Sequence, residues 1–235
     1  MDSSSRRRIG VLTIGQAPRD DTVPHLRPLL GDVEILERGA LDGLSPGDIA
    51  DLAPKPSPPD LHGGAPDMPL VTRLADGSEV TVGKRAILDR LQQAITDLEA
   101  ERVDATLLIC TGTFPKFDHT APLMLADQLL VGAVRAIAGH GRVAVLCPLA
   151  SQEQMTHEKW APVVGPVEVA SASPYGDRAA VVEAAVKFAS GEAEFVVLDC
   201  IGFDEDHRRS VREACGRSVL LARSLVGRLA GEAVA

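Results

Sequence analysis

The chain has 235 residues, room for one large domain or two small ones, with 45% hydrophobic and 24% charged residues, values ordinary for a globular protein. Aromatic residues are only 3% and the net charge is −9. A core of Leu, Val, Ile and Ala follows; base-stacking platforms are disfavoured, and an acidic surface that repels phosphate backbones disfavours nucleic-acid binding without a local basic patch.

The first basic cluster is Arg6, Arg7 and Arg8, beside a Ser-rich start. A targeting segment would need a longer apolar run than Ile9 to Ile14, so a solvated tail before the first strand is the better reading. No stretch reaches the roughly 18 apolar residues of a membrane span. Arg8 to Ile14 is short, apolar and β-branched, and reads as a buried strand ending at Gly15. Asp20 or Asp21 is expected to cap a helix through Leu30, and Val33 to Leu36 reads as a second strand. Ala53 to Pro69 carries six prolines and two adjacent glycines, which suits an extended loop or a partial lid. Leu70 to Leu74 and Glu79 to Val82 flank Asp76-Gly77, a hairpin signal. Ile87, Leu91, Ile95 and Leu98 form one stripe of a helix over about 84–101.

Ala105 to Ile109 reads as a strand ending at Cys110, followed by a helix over about 122–139 and a strand over Arg142 to Leu146. His157, Glu158 and Trp160 are taken as a helix end or loop, and Val167 to Ala170 as a strand. Ala179 to Ser190 is expected as a helix, Phe195 to Leu198 as a strand ending at Cys200, and His207 to Cys215 as a helix stopped by Gly216. Ser218 to Leu221 and a final helix from Ser224 complete the chain.

Alternation of strands and helices predicts an α/β fold with a mostly parallel sheet. Two halves correspond. Ile9-Gly10-Val11-Leu12 matches Val143-Ala144-Val145-Leu146, and Leu108-Ile109-Cys110-Thr111-Gly112 matches Leu198-Asp199-Cys200-Ile201-Gly202. The expected architecture is two pseudo-symmetric doubly wound halves with a β-hairpin inserted in the first. Residues 1–118 are expected to form the first half and 119–221 the second, with a C-terminal helix from about 222 to 235 able to pack back on the first.

Ligands of open α/β sheets bind beyond the carboxyl ends of the strands. Cys110 and Cys200 both fall there, each before a glycine-containing turn leading towards a helix. A helix N-terminus attracts carboxylates and lowers a thiol's pKa from about 8.5. A lone strand-end cysteine is more often core filling, but two at equivalent places point to one cleft. Of the other cysteines, Cys215 reads as structural, and Cys147 is placed to line the cleft but has no cysteine partner, since the matching position of the first half is Thr13. No CxxC pair is present, so a zinc or redox motif has no support. Free thiols in a reducing cytoplasm are expected. His119 and the acidic run Asp204-Glu205-Asp206 read as surface features, the latter serving a helix dipole. Ser173-Pro174-Tyr175-Gly176 reads as a turn or a ligand contact.

Gly10 to Arg19, Leu36 to Asp42, Cys110-Thr111-Gly112-Thr113-Phe114 and Ala222-Arg223-Ser224-Leu225 together resemble the AroM family over nearly the whole chain. More distantly the layout is similar to the aspartate/glutamate racemase superfamily. That resemblance implies two α/β halves, no cofactor, and one cysteine from each half facing a small-molecule substrate; it leaves a homo-oligomer open. Cys110-Thr111-Gly112-Thr113 stands where the superfamily has Cys-Asn-Thr, and Cys200-Ile201-Gly202 where it has Cys-Thr. Gly112, Ile201 and Asp199 depart from the pattern, and Ile201 removes a hydroxyl.

Two thiols on opposite faces suit proton exchange at a carbon acid, one removing and one delivering the proton. Cys110 and Cys200 are the expected catalytic pair. Thr13, Gly15, Gln16, Arg19, Thr111, Gly112, Thr113, Ile201 and Gly202 are the expected substrate contacts, with Arg19 gripping a carboxylate and backbone N–H groups and threonine hydroxyls stabilising an enolate. The expected activity is a cofactor-independent isomerase or racemase. A lyase or decarboxylase on the same scaffold, or a metabolite sensor that has lost turnover, are the alternatives.

Overall fold

In the computed structural model, residues 6–55 and 67–235 are described. The Pro-rich stretch expected as a loop or lid falls mostly on 56–66, outside the described residues.

The first sheet is built from β1 (Arg8–Thr13), β2 (Glu34–Gly39), β5 (Ala105–Leu108) and β6 (Leu123–Leu125), in the order β2-β1-β5-β6 and parallel throughout. The second contains β7 (Val143–Cys147), β8 (Val167–Ser171), β9 (Phe195–Leu198) and β10 (Ser218–Leu221), in the order β8-β7-β9-β10 and again parallel. The two sheets have the same winding. Leu12 pairs with Leu108 in one and Leu146 with Leu198 in the other, and each pair sits two residues before its cysteine. The next N–H continues the match, Ile109 donating to the Leu12 carbonyl and Asp199 to the Leu146 carbonyl. Between β2 and β5 in the chain comes the antiparallel hairpin of β3 (Pro69–Arg73) and β4 (Glu79–Gly83), a separate two-stranded sheet.

Helices α1 (Val23–Leu30), α2 (Pro46–Asp51), α3 (Lys84–Ala100) and α4 (Ala126–Ala138) belong to the first part of the chain, and α5 (Glu153–Val164), α6 (Arg178–Val186), α7 (Glu205–Cys215) and α8 (Ala222–Val234) to the second. The last helix after each sheet crosses over. α8 packs on α1, α4 packs on α5, and the two meet each other. This crossing buries one apolar core drawn from both sheets, including Ile9, Val11, Leu130, Val134, Val145, Trp160, Val197 and Val226. Two further cores flank it, one under α3 and the hairpin, the other under α6 and α7. Small residues permit the crossing. A Cβ on Gly231 would lie 2.1 Å from the Leu29 carbonyl oxygen, so only glycine lets α8 sit directly on α1.

Several local expectations need correcting. Neither Asp20 nor Asp21 caps α1; Thr22 holds the cap position without a side-chain bond, because the Asp21 carboxylate is taken by Arg19. The helix expected over 122–139 begins as β6, whose alternation was hidden in an apolar run of only three residues. His157, Glu158 and Trp160 lie inside the helix α5. Its apolar stripe is broken by Pro162 and by polar residues that face the cleft, so the periodicity that marks a surface helix is weak.

Candidate active site

The carboxyl ends of β1, β5, β7 and β9 open into one cavity of about 1240 Å³. Cys110 and Cys200 both line it, one from each sheet, and so does the third thiol, Cys147. Cys110 is half-buried and Cys200 only 9% exposed. Each catalytic candidate receives a backbone N–H from the residue two positions on. Gly202 N–H donates to Cys200 Sγ at 3.4 Å, and Gly112 N–H acts on Cys110 in the same way. The matching is a consequence of the two equivalent strand-turn geometries.

The expected lowering of the thiol pKa is reversed. Burial pushes Cys110 up to about 12, with Cys200 and Asp127 adding to the rise and the Gly112 N–H and Lys159 opposing it. Burial likewise raises Cys200 to about 11, against the Gly202 N–H, Arg19 and Arg223. No helix starts directly after Cys110; the chain runs without regular structure to β6. Desolvation therefore outweighs the local positive groups. Alkylation of both cysteines by iodoacetamide should rise about tenfold per pH unit between about pH 7 and 10. Peptide mass mapping reads this, and a plateau below about pH 8 would contradict it.

Arg19 does not offer its fork to a ligand. Nε and Nη2 bond the two oxygens of Asp21 at 2.8 and 2.9 Å, Nη1 bonds Thr13 Oγ1 at 2.8 Å and Thr72 Oγ1 at 3.3 Å, and Nη2 also reaches the Tyr175 hydroxyl at 3.1 Å. Burial disfavours its charge, yet the Asp21 bond, Tyr175 and the Asp21 charge more than compensate, so its pKa is raised. Arg19 still lines the cavity, but as a buried brace between β1, the hairpin and the Tyr175 turn.

Thr13, Gly15 and Gln16 stand behind the cavity wall. Thr13 Oγ1 accepts from Gly15 N–H and from Arg19. A Cβ on Gly15 would lie 2.3 Å from the Arg73 carbonyl oxygen, so glycine is required where the hairpin crosses. Gln16 Oε1 accepts from Ala75 N–H and its N–H group donates to the Leu41 carbonyl. The backbone N–H groups after Gly15 are also taken, Gln16 by the Arg73 carbonyl and Ala17 by Asp42, so they are not free to bind an enolate. Asp42 further accepts from Gly39 N–H, and Glu37 from Arg19 N–H. The segments 10–19 and 36–42 thus brace one another.

Thr111, Gly112, Thr113, Ile201 and Gly202 all line the cavity. Thr111 donates its hydroxyl to the Asp199 carbonyl at 3.1 Å, tying the Cys110 turn to the Cys200 turn. A second tie is made by Lys159 of α5, which donates to the Thr111 carbonyl at 2.8 Å and to the Asp199 carboxylate at 2.9 and 3.1 Å. Trp160 Nε1 completes Asp199 at 2.7 Å. From the other side Arg223 donates to the carbonyls of Ile201, Gly202 and Asp21 at 2.9, 3.1 and 3.0 Å. Sequence reasoning missed Lys159, Asp127 and Gln152, whereas Tyr175, read as a turn or a ligand contact, does line the cavity. Asp199 was visible as a departure, and a buried acid needs a cation, but nothing in the spacing of α5 named Lys159 as its partner.

The hairpin also reaches the second half. Gln152 donates to the Pro69 carbonyl at 2.6 Å, Arg73 stacks 5.0 Å from the Tyr175 ring centre, and Ser173 bonds Glu79. His119 lies outside the cavity against the Ala121 carbonyl. Asp204 caps α7 in a reciprocal box with His207. Among the described residues no cluster of His, Cys, Asp or Glu is arranged to hold a metal ion. No described helix is long and apolar enough to cross a membrane.

A family model for the AroM protein matches residues 9–234. The chain belongs to the AroM family. No curated protein matches the AroM chain by sequence. Solved structures similar to it include the liganded Gly74Cys-Cys188Ser mutant of arylmalonate decarboxylase (TM-score 0.61, 15% identity, 97% of this chain and 92% of the other). Maleate isomerase Iso from Pseudomonas putida S16 gives 0.58 at 13% identity over 94% and 90%, and Picrophilus torridus aspartate racemase 0.59 at 9% over 97% and 94%. At such identities the likeness is one of fold. It agrees with the paired parallel sheets and the inserted hairpin.

Proposed function

We propose that this AroM chain is a cofactor-independent isomerase or racemase that moves a proton on a small carboxylate or carbonyl compound between Cys110 and Cys200. The observation that carries the reading is the placement of the two thiols on one cavity, each at the end of the equivalent strand of its own sheet. Similar folds that are named as racemases, an isomerase and a decarboxylase support a carbon-acid reaction.

In the proposed step one cysteine is the thiolate. It takes the proton from the carbon next to the carboxylate or carbonyl, forming its S–H as the C–H bond breaks. The pair left on carbon delocalises into the carbonyl as an enolate. The opposite thiol then gives up its proton to the other face, and the thiolate has changed sides. Each thiolate has its own positive neighbour, Lys159 for Cys110, Arg19 and Arg223 for Cys200. The developing charge is thereby shared between two preorganised sites.

One observation favours a second reading. Burial keeps both thiols largely protonated near neutral pH, which suits a protein that binds a metabolite without turning it over. Incubation in deuterium oxide with small carboxylates, hydantoins and aromatic-pathway acids decides between them. Catalysis predicts deuterium at the exchangeable carbon of at least one compound, lost in the Cys110→Ala/Cys200→Ala double variant. Undiminished exchange in that variant overturns the two-thiol reading, and a compound that raises the melting temperature without exchanging supports the sensor.

A further inference from the structure

Beside Cys110 the cavity wall is completed by the first turn of α4. Asp127 is there, only 5% exposed, and it lines the cavity. Its Oδ1 is buried and has no hydrogen-bond partner. A buried carboxylate oxygen with nothing to accept from costs about 1–3 kcal/mol or more, and native proteins rarely leave one so. The other groups near it do not fill the gap. Lys159, a cation whose charge acts on it, has its donors on Thr111 and Asp199. The backbone N–H groups of Asp127 and Gln128 act on the carboxylate yet leave Oδ1 unpaired. Asp127 lines the cavity, and its charge bears on the Cys110 thiol.

We propose that Asp127 is a specificity-determining residue whose free oxygen accepts an N–H or O–H of the substrate beside Cys110, so that the compound bound carries a hydrogen-bond donor near its reacting carbon. This rests on the reading of the cavity as the substrate site. A plain dicarboxylate would set one carboxylate against another there and is selected against. An amine, amide, ureide or alcohol next to the carbon acid satisfies Oδ1 and places the reacting carbon at the thiol.

Two alkylating probes of similar size test this at Cys110 itself. Iodoacetamide brings an N–H donor; methyl iodoacetate does not. Rates at Cys110 are taken from peptide mass mapping at about pH 9, where the thiolate fraction is measurable, and their ratio is normalised to free cysteine. The ratio cancels any change in thiol acidity. In the unaltered protein it should exceed the free-cysteine ratio by about tenfold, the worth of one charge-assisted hydrogen bond. In Asp127→Asn, which leaves at most a neutral and weaker acceptor, it should fall back towards the free-cysteine value while Cys200 keeps its own ratio. No preference in the unaltered protein, an unchanged preference in Asp127→Asn, or an equal change at Cys200 would each overturn the proposal. Asp127→Ala serves as the second variant should Asp127→Asn fold poorly. The ratio is independent of turnover: exchange absent with the ratio intact sinks the isomerase and leaves Asp127 standing, and the converse sinks Asp127 alone.

Discussion

Cys200→Ser should lower deuterium exchange into the turned-over compound by about 10²–10⁴-fold, and Cys110→Ser should do the same, the range expected when a positioned acid or base is lost. Serine is the informative replacement because an oxygen can still accept the Gly202 N–H that now donates to Cys200 Sγ. The turn is kept and the proton donor is not, since a hydroxyl is a far weaker acid than a thiol. The two variants should differ in what remains. Each retains one thiol, so slow exchange with retention of configuration persists for the enantiomer whose proton faces it, while inversion is lost in both. The Arg19 and Arg223 charges that favour a Cys200 thiolate, and the Lys159 charge that favours a Cys110 thiolate, are still present in the variant lacking the other thiol. Chiral separation after reaction in deuterium oxide reads both quantities. Equal inversion rates in either variant and the unaltered protein would end the two-sided mechanism.

The placement of these thiols was readable because it depends on strands. Short apolar runs ending in Cys-x-Gly recur at equivalent points, and a parallel sheet turns equivalence in order into equivalence in space. Hairpin β3–β4 was equally plain, since Asp76-Gly77 tolerates the positive φ of a tight turn and Gly77 adopts it at 84°. What surrounded the thiols was less legible. Arg19 looks like a carboxylate clamp until its actual partner, the half-buried Asp21, is known to lie two residues away. Gln16 looks like a ligand contact, but its amide joins loops distant in sequence, at Leu41 and Ala75. A motif can be specific because its members hold one another, as 10–19 and 36–42 do, and specificity alone does not separate bracing from binding. The thiol acidities were misread for a related reason. A turn with a free N–H is visible in sequence, whereas the depth of the cavity floor that outweighs it is a property of the assembled sheets. Lys159 was missed because the cavity face of its helix is polar, which weakens the apolar stripe used to find a helix; the helix of Asp127 was legible, but nothing in its spacing showed that its first turn borders the cavity.

Lys159→Met should destabilise the protein by about 3–5 kcal/mol, the cost of leaving a buried charge without its partner. Lys159 and Asp199 are 12% and 5% exposed and meet at 2.9 Å. Without the ammonium group the Asp199 carboxylate keeps only the Trp160 N–H among its side-chain partners, and the Thr111 carbonyl loses its donor. A chain of this size should then melt about 10 °C lower or more. The pair is expensive to break and cheap to replace. Asp199→Asn in the Lys159→Met background removes the stranded charge and preserves an acceptor for Trp160, so the double variant should be more stable than Lys159→Met alone. Function need not follow stability. Lys159 is the cation that favours a thiolate at Cys110, so the double variant, though better folded, should alkylate more slowly at Cys110 than the unaltered protein and no more slowly at Cys200. If the double variant proves no more stable than Lys159→Met, the charge on Asp199 is not what the lysine neutralises, and the tie between the two cysteine turns rests on the Thr111 hydroxyl alone.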